Sequence, residues 1–524
     1  MKYYISQKHK PNMQLISRFF LICFLAFIPH TSLEAQVDVD KLDAYLSKAQ
    51  KDWKIPGMSI GIIKDGEVVL SKGYGMLEAG KTDPANGGSI YAIASNTKAF
   101  ISTAIGILVD EGKLNWDDPV RKHLPYFALY DSYASEHTTV RDLLCHRVGL
   151  GTFSGDAIWY KSNYSAEEVI KRIKYVPQAY EYRAGYGYTN LMFITAGEVI
   201  KAASGKSWDE FIKERIFQPL GMDRTRTTVT DLELMANVAQ PHKPNGWISQ
   251  PIPYAKWDNM GAAGGILSST DDMLKWIQLQ LDHGTHENKQ IFSEEAQGQF
   301  WKPHNNYFVS KFANDNFRNR NVSGYALGWG YFDYAGRMVY RHGGGYDGMY
   351  SQVAVIPEEN LGIVVLTNTM RGIASPVVYY ILDRFMNQEE KDWSNTNLAY
   401  EKNAIANWNK RRQERLDKRK TGTSPGFDLE AYAGTYNDPM YGDVILRVEE
   451  DRLLLEFPHA PALNARLEHW HDDTFEIKWR EVHAWFGFGT IKFVQNNNRD
   501  ITGIEFDVPN DDIFFDEIHA KRVK

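Results

Sequence analysis

The chain carries a serine and a lysine three positions apart, in Ser95-Asn96-Thr97-Lys98. On a helix that spacing puts both side chains on one face, so the Lys98 amine can reach the Ser95 hydroxyl. A serine hydroxyl is a poor nucleophile until a neighbour takes its proton. Burial disfavours a lysine's charge and lowers its pKa, which turns the amine into a base. Ile101, Ala104, Ile105 and Leu108 recur at helical spacing before Gly112, and predict a helix from Ser95 to Glu111. Free N–H groups at its start can stabilise an oxyanion. Taken alone, the same four residues also describe a surface helix with an N-cap serine.

Two further places could do chemistry. In Tyr188-Thr189-Asn190, Tyr188 can relay a proton as phenol or phenolate, and Asn190 can donate to a substrate carbonyl. In Arg341-His342-Gly343-Gly344-Gly345, the glycines let a substrate backbone approach a strand edge closely. An N–H near Gly345 can complete an oxyanion hole with that of Ser95, and His342 can orient substrate or donate a proton. The plain alternatives are a packing tyrosine and a glycine-rich turn with an exposed histidine. No Gly-Lys-Ser/Thr follows, so a phosphate loop is disfavoured. Gly-x-Ser-x-Gly is absent, and with it the nucleophile elbow. His469 and His471 have no carboxylate or cysteine ligand placed with them and read as packing or surface residues. Cys145, in an apolar helical segment, reads as a buried structural thiol.

The elements that must position these residues are strands at both ends of a long region, with helices between. Met58–Ile63 and Glu67–Lys72 flank Asp65-Gly66, a hairpin signal. Helices are predicted at Val140–Cys145, Ala166–Lys174, Leu191–Ala203, Trp208–Ile216 and Thr270–Leu281. Strands follow at Met338–Arg341, Tyr350–Ile356 and Leu361–Thr367. This order predicts one α/β domain over residues 36–386, its sheet built from both ends and a helical insertion lying across it. Residues 387–424 form a charged linker, with seven Lys or Arg between Lys410 and Lys420, read as a solvated helix. From 425 to 524 the pattern is nearly all β (Tyr441–Val448, Arg452–Phe457, Thr474–Trp479, Gly489–Val494, Ile501–Val508) and predicts a small sheet or barrel. Its late position raises the prospect that it covers the cleft.

The 524 residues are 43% apolar and 24% charged, so the chain can bury a large core unaided. A net charge of −7 gives no basic field for nucleic acid. Two cysteines, Cys23 and Cys145, exclude both a disulfide framework and a cysteine-rich zinc site. Lys2, Lys8, Lys10 and Arg18 precede an apolar run from Phe19 to Ile28, then Pro29 and the small Ala35. That order predicts an export signal over residues 1–35 and a periplasmic or secreted protein. The run is shorter than the roughly 20 residues a span needs, so no stable membrane span is expected after cleavage.

Together, Ser95-x-x-Lys98, Tyr188-x-Asn190 and His342-x-Gly344 resemble, in order, the active-site motifs of serine β-lactamase-related hydrolases. The nearest branch holds class C β-lactamases, D-alanyl-D-alanine carboxypeptidases, D-aminopeptidases and related esterases. Leu143–Leu150, Pro219–Met222, Ala263–Ser269 and Gly348–Asn368 are similar to further family segments, so the likeness covers about residues 40–385. Tyr432–Tyr436 and His469-Trp470-His471 resemble an appended β-barrel domain.

The resemblance implies an α/β (α+β) fold of the serine β-lactamase/DD-peptidase kind, with an antiparallel sheet and a helical insertion. It implies an acyl-enzyme on Ser95, with Lys98 and Tyr188 managing its proton and either of them the base. Asn190, His342, Gly344 and Gly345 would contact substrate, and no metal or cofactor would be needed. β-Lactamases of this branch carry Lys-Thr-Gly where this chain has His342-Gly343-Gly344. The threonine hydroxyl and lysine charge that would meet a β-lactam are missing, and an unshifted histidine is mostly neutral near pH 7. The implied substrate is a small molecule or a peptide: a D-amino-acid-containing peptide (cell-wall peptides among them) or a small ester, ahead of a β-lactam. The rival reading is a non-catalytic sensor or ligand-binding protein on the same fold.

Overall fold

The computed structural model describes residues 37–523; the expected export signal lies outside them. Its main sheet has eight antiparallel strands, in the order Glu67–Gly75, Gly57–Lys64, Leu361–Thr367, Met349–Ile356, Arg337–Tyr346, Gly330–Tyr334, Ser323–Tyr325, Asn305–Asn306. Both ends of the domain meet where Ile60 pairs with Val365. The Leu361–Thr367 strand is buried at every position. An antiparallel strand covered on both faces loses its polar alternation, which is why it reads as an unbroken apolar run. Val364 and Leu366 join one core with Ile277 of the Thr270–Leu281 helix. Alternation turns Ile363 and Val365 to the other face, where the Ala374–Phe385 helix packs. Gly362 admits the first helix closely: a Cβ there would lie 2.1 Å from Ile277 Cγ2.

The helical insertion surrounds the Thr97–Asp110 helix, in which every residue from Thr97 to Leu108 is buried. A helix apolar on all sides belongs inside a core, and this one carries Lys98 there. It is preceded by a 3₁₀ turn, Ala94–Asn96, so Ser95 sits just before the α-helix and not within it. The segment expected as one helix over Trp208–Ile216 is α-helical to Ile212 and then widens into a π turn, Lys213–Phe217. Pro219 follows within the next turn and has no N–H to continue the ladder.

The charged linker contains a 25-residue helix, Trp393–Asp417, buried only at Trp393, Ser394 and Leu398. Its first turn is docked: Trp393 Nε1 donates to Asp383 at 2.7 Å. After it, eight strands close into a barrel, Lys521–Arg522 pairing back to Gly434–Asp438. Three of these strands escape the sequence pattern. Gly434–Asp438 and Lys521–Arg522 are too short to show alternation, and in Ala465–His471 histidines break the apolar series. From Val39 onward the chain is one compact unit. The barrel's Glu517 accepts from Gly155 N at 2.7 Å, and Lys243 donates to Phe486 O at 2.8 Å. Among the described residues no helix is long and apolar enough to cross a membrane.

Candidate active site

Lys98 has no exposure to solvent. Its Nζ lies 3.0 Å from Ser95 Oγ, 2.7 Å from Asn190 Oδ1 and 2.7 Å from the Ala263 carbonyl. Burial pulls its pKa down to about 7. Two of the three contacts are pure acceptors and require N–H donors from lysine. A neutral amine has two such hydrogens and one lone pair. With both hydrogens committed to Asn190 and Ala263, the lone pair faces the Ser95 hydroxyl. Ala94, just before the serine, adopts φ +48, a left-handed conformation rare outside glycine. Strain of this kind persists where surrounding structure enforces it and clusters at functional sites.

Tyr188 precedes the Asn190–Ser204 helix and lines the same cavity as Ser95. Its ring centroid lies 4.9 Å from Lys98 Nζ and 4.2 Å from that of the buried His146. Burial raises the phenol well above its usual pKa, so Tyr188 holds its proton and is not a phenolate. His146 Nδ1 accepts from Thr189 N at 3.1 Å, which fixes the backbone beside Tyr188.

The amide of Asn190 is engaged at both ends. Its oxygen accepts from Lys98, and Nδ2 donates to Asp156 at 2.6 Å. Its oxygen thus holds Lys98, while Nδ2 keeps a second hydrogen for the expected donation to a substrate carbonyl. Asp156 is 1% exposed, and burial raises its carboxyl to about 8.

His342 departs from expectation. It is 6% exposed, with Nδ1 2.6 Å from the Gly343 carbonyl and Nε2 2.7 Å from Tyr325 OH. A carbonyl can only accept, so Nδ1 carries the hydrogen and Nε2 accepts from the tyrosine. Burial and the nearby Lys98 lower its pKa to about 3. His342 is thus a neutral wall of the site and not a titrating proton donor. Gly344 turns away from the open space: a Cβ there would lie 2.1 Å from the Ile93 carbonyl. Its missing side chain lets the strand press against the Ser95 turn, so Gly344 helps position the nucleophile. The sheet register explains this split, since alternate residues face opposite ways.

Gly343 and Gly345 line a cavity of about 460 Å³ with Ser95, Tyr188, Asn190 and His342. The neighbouring Gly330–Tyr334 strand pairs only as far as Arg341. Beyond it, His342–Tyr346 pairs with Met349–Val353 alone, leaving one strand edge for an extended substrate. Among the described residues, Arg341 is the one cation lining the cavity.

Sequence reasoning missed several residues. Asp156 stands in no motif, and the Ala263 acceptor is a backbone carbonyl that no residue type announces. Trp485, Asp512 and Ile513 also line the cavity, and all three come from the barrel. Cys145 is buried, its thiol raised to about 12 by burial. His469 Nε2 lies 3.0 Å from the Asp472 carbonyl, and no group of side chains among the described residues could hold a metal.

Comparisons with known proteins agree with this architecture. The beta-lactamase family profile matches residues 42–384, and a domain of unknown function (DUF3471) matches residues 418–522. The chain is similar to "Unguisins hydrolase ungD'" of Aspergillus campestris, 26% identical over 79% of this chain and 80% of that one. It is similar to "Protein flp" of Staphylococcus aureus, 28% identical over 67% of each chain. Among solved structures, the octameric penicillin-binding protein homologue from Pyrococcus abyssi matches with a TM-score of 0.59. That match has 24% identity and covers 90% of this chain and 98% of the other. The hydrolase relatives and the family profile support a hydrolase role. The chain belongs to the beta-lactamase family.

Proposed function

We propose that the protein is an exported serine hydrolase, acting in the periplasm or outside the cell through an acyl-enzyme on Ser95. The observation that carries this reading is the Lys98 amine, buried and 3.0 Å from Ser95 Oγ, with its other two contacts taken by acceptors. Lys98 takes the serine proton as Ser95 attacks a substrate carbonyl. Tyr188 cannot serve as the resting base, because burial keeps its phenol protonated. It donates its phenolic proton to the leaving group and is reprotonated by the Lys98 ammonium, which leaves the amine neutral again. The N–H groups of Ser95 and Gly345 hold the oxyanion. Water then attacks the ester carbonyl with Lys98 again as base. The chemistry uses side chains and backbone alone.

The substrate class is an amide or ester, with a D-amino-acid-containing peptide or small ester ahead of a β-lactam. A neutral His342 and a glycine stand where a β-lactamase of this branch offers lysine and threonine. A free strand edge suits an extended peptide, and one relative is named as a hydrolase of unguisins.

A fluorophosphonate probe followed by peptide mapping tests the proposal. Ser95 should carry the label, and Ser95→Ala should abolish both labelling and ester hydrolysis. An unlabelled Ser95, with ester hydrolysis unchanged in Ser95→Ala, would contradict it. Ligand binding without turnover would favour a sensor.

A further inference from the structure

The barrel grips the turn that holds the catalytic groups. Residues 152–156 run beside Tyr188 and Asn190. Phe153 N donates to the Tyr188 carbonyl at 2.8 Å, and Tyr188 N donates to Thr152 Oγ1 at 3.1 Å. At the other end of the turn Asp156 accepts from Asn190 Nδ2 at 2.6 Å, and the oxygen of that same amide accepts from Lys98. One short turn therefore sets the backbone of Tyr188 and, through Asn190, the amine of Lys98. Its own backbone is held in an uncommon shape. Phe153 has φ +59 and Gly155 φ +82, both in the left-handed region. A bulky residue such as Phe153 rarely adopts it unaided.

A single carboxylate of the barrel pins the middle of this turn. Glu517 Oε2 accepts from Gly155 N at 2.7 Å, and Oε1 accepts from the Ser154 hydroxyl. Tyr441 OH donates to Oε2 at 2.6 Å and orients the carboxylate from within the barrel. Glu517 ends the 3₁₀ turn Phe515–Glu517, and Phe515 and Ile518 on either side of it are buried. The carboxylate thus projects from a fixed base. Hydrogen bonds to an ionised acceptor are the stronger kind, which suits a group that must hold a strained turn. The fit around Gly155 is close: a Cβ there would lie 2.7 Å from Leu191 Cδ1 and 3.2 Å from the barrel's Met440 Cε. Leu191 follows Asn190 in its helix. The titratable groups around Lys98 are Asp156, Tyr188 and the uncharged His146 and His342. Of these, Asp156 stands in the turn that Glu517 pins.

We propose that Glu517 is a positioning residue for catalysis: by pinning Ser154 and Gly155 it fixes Asp156, Asn190 and Tyr188 around the Lys98 amine, so that the barrel completes an active site whose nucleophile and base it does not supply. The proposal rests on the hydrolase reading of Ser95, and gives the barrel a part in the chemistry itself. Without the carboxylate the turn loses both anchors, Asn190 loses a fixed partner, and water gains access to Lys98. The amine then regains part of its ordinary affinity for a proton, because its desolvation is relieved.

The test reads Lys98 directly. In protein isotope-labelled at lysine Cε, the Lys98 NMR signal is assigned by its loss in Lys98→Gln and followed against pH. In the parent it should titrate at about 7. Glu517→Ala should move that midpoint up by about one pH unit and slow fluorophosphonate acylation of Ser95 about tenfold at neutral pH. Glu517→Gln should keep both at parental values, since its amide oxygen accepts from Gly155 N and Tyr441 OH and its NH₂ donates to the Ser154 hydroxyl. Tyr441→Phe frees the carboxylate inside an intact barrel, and should move the midpoint the same way by less. Asn163→Ala removes a different barrel contact, to His459 Nδ1 at 3.0 Å, and should move neither quantity. Melting temperatures confirm that each variant is folded. A midpoint unmoved in Glu517→Ala, or in Tyr441→Phe where the alanine variant does not fold, would overturn the proposal. So would an equal shift in Asn163→Ala. Labelling of the parent protein separates the two claims. A labelled Ser95 with an unmoved Lys98 midpoint defeats only the positioning role. An unlabelled Ser95 with a Glu517-dependent midpoint defeats only the hydrolase.

Discussion

Asp142 and Asp156 stand fourteen positions apart and are both withdrawn from water, at 0% and 1% exposure. Their surroundings are opposite. Asp142 accepts from Arg147 Nε at 2.6 Å, Arg183 Nε at 3.1 Å, Tyr182 OH at 2.8 Å and Thr139 N at 3.0 Å. These donors overcome burial and hold its carboxyl down at about 2. Asp156 has an amide donor from Asn190 and no ion pair, and burial takes it to about 8. Each carboxylate is adjacent to polar machinery, yet one is paired as structure demands and the other is left perturbed. Asp156 lines the catalytic cavity, and perturbed carboxyls are common where pKa values are tuned for chemistry.

Breaking the paired member should have the largest effect on folding. Asp142→Ala strands Arg147 and Arg183, and should cost about 3 kcal/mol, at the low end for a buried pair because Arg183 is partly solvated. The sign of its pH dependence follows from a folded pKa of about 2 against an ordinary 3.8. Its stabilisation is present above the ordinary value and is lost as pH falls through the folded one. Chemical denaturation at neutral and acid pH checks both, and a wild-type-like midpoint for Asp142→Ala would break the contrast.

The unpaired member should behave in the reverse sense and more weakly. Asp156 has an ordinary pKa of 3.8 and a folded pKa of about 8, so its ionisation disfavours the folded state increasingly across that window. Asp156→Asn keeps an acceptor for Asn190 and removes the titration. It should stabilise the protein by about 1 kcal/mol at pH 8, with the gain shrinking toward pH 4. Thermal melts across this range would decide it; a loss of stability at pH 8 would show that Asp156 is a structural anion like Asp142.

The legible parts of the molecule were those that local chemistry marks. Ser95 and Lys98 announce each other because a helical turn joins them, and the Leu361–Thr367 strand because it is buried on both sides. The three motifs were ordered along the chain and could be recognised together. What stayed hidden depends on long-range placement. The Ala263 carbonyl carries no residue-type signal. Gly344 and Gly345 read alike until the strand's register turned one against Ile93 and the other into the cavity. His342 looked titratable because its burial and its tyrosine partner, Tyr325, are set by folding. Asp512 lies more than four hundred positions from Ser95. A barrel could be read from its alternating strands, but not which of its loops would enter the cleft.

The central claim is that burial makes Lys98 the base for Ser95. The most direct measurement is the rate of Ser95 acylation by a fluorophosphonate as a function of pH, since the probe itself does not titrate. The account predicts a rate that climbs through pH about 7, where Lys98 loses its proton, to a plateau above. A rate independent of pH from well below to well above that point would contradict it, as would a rise only in the ordinary range of lysine or tyrosine.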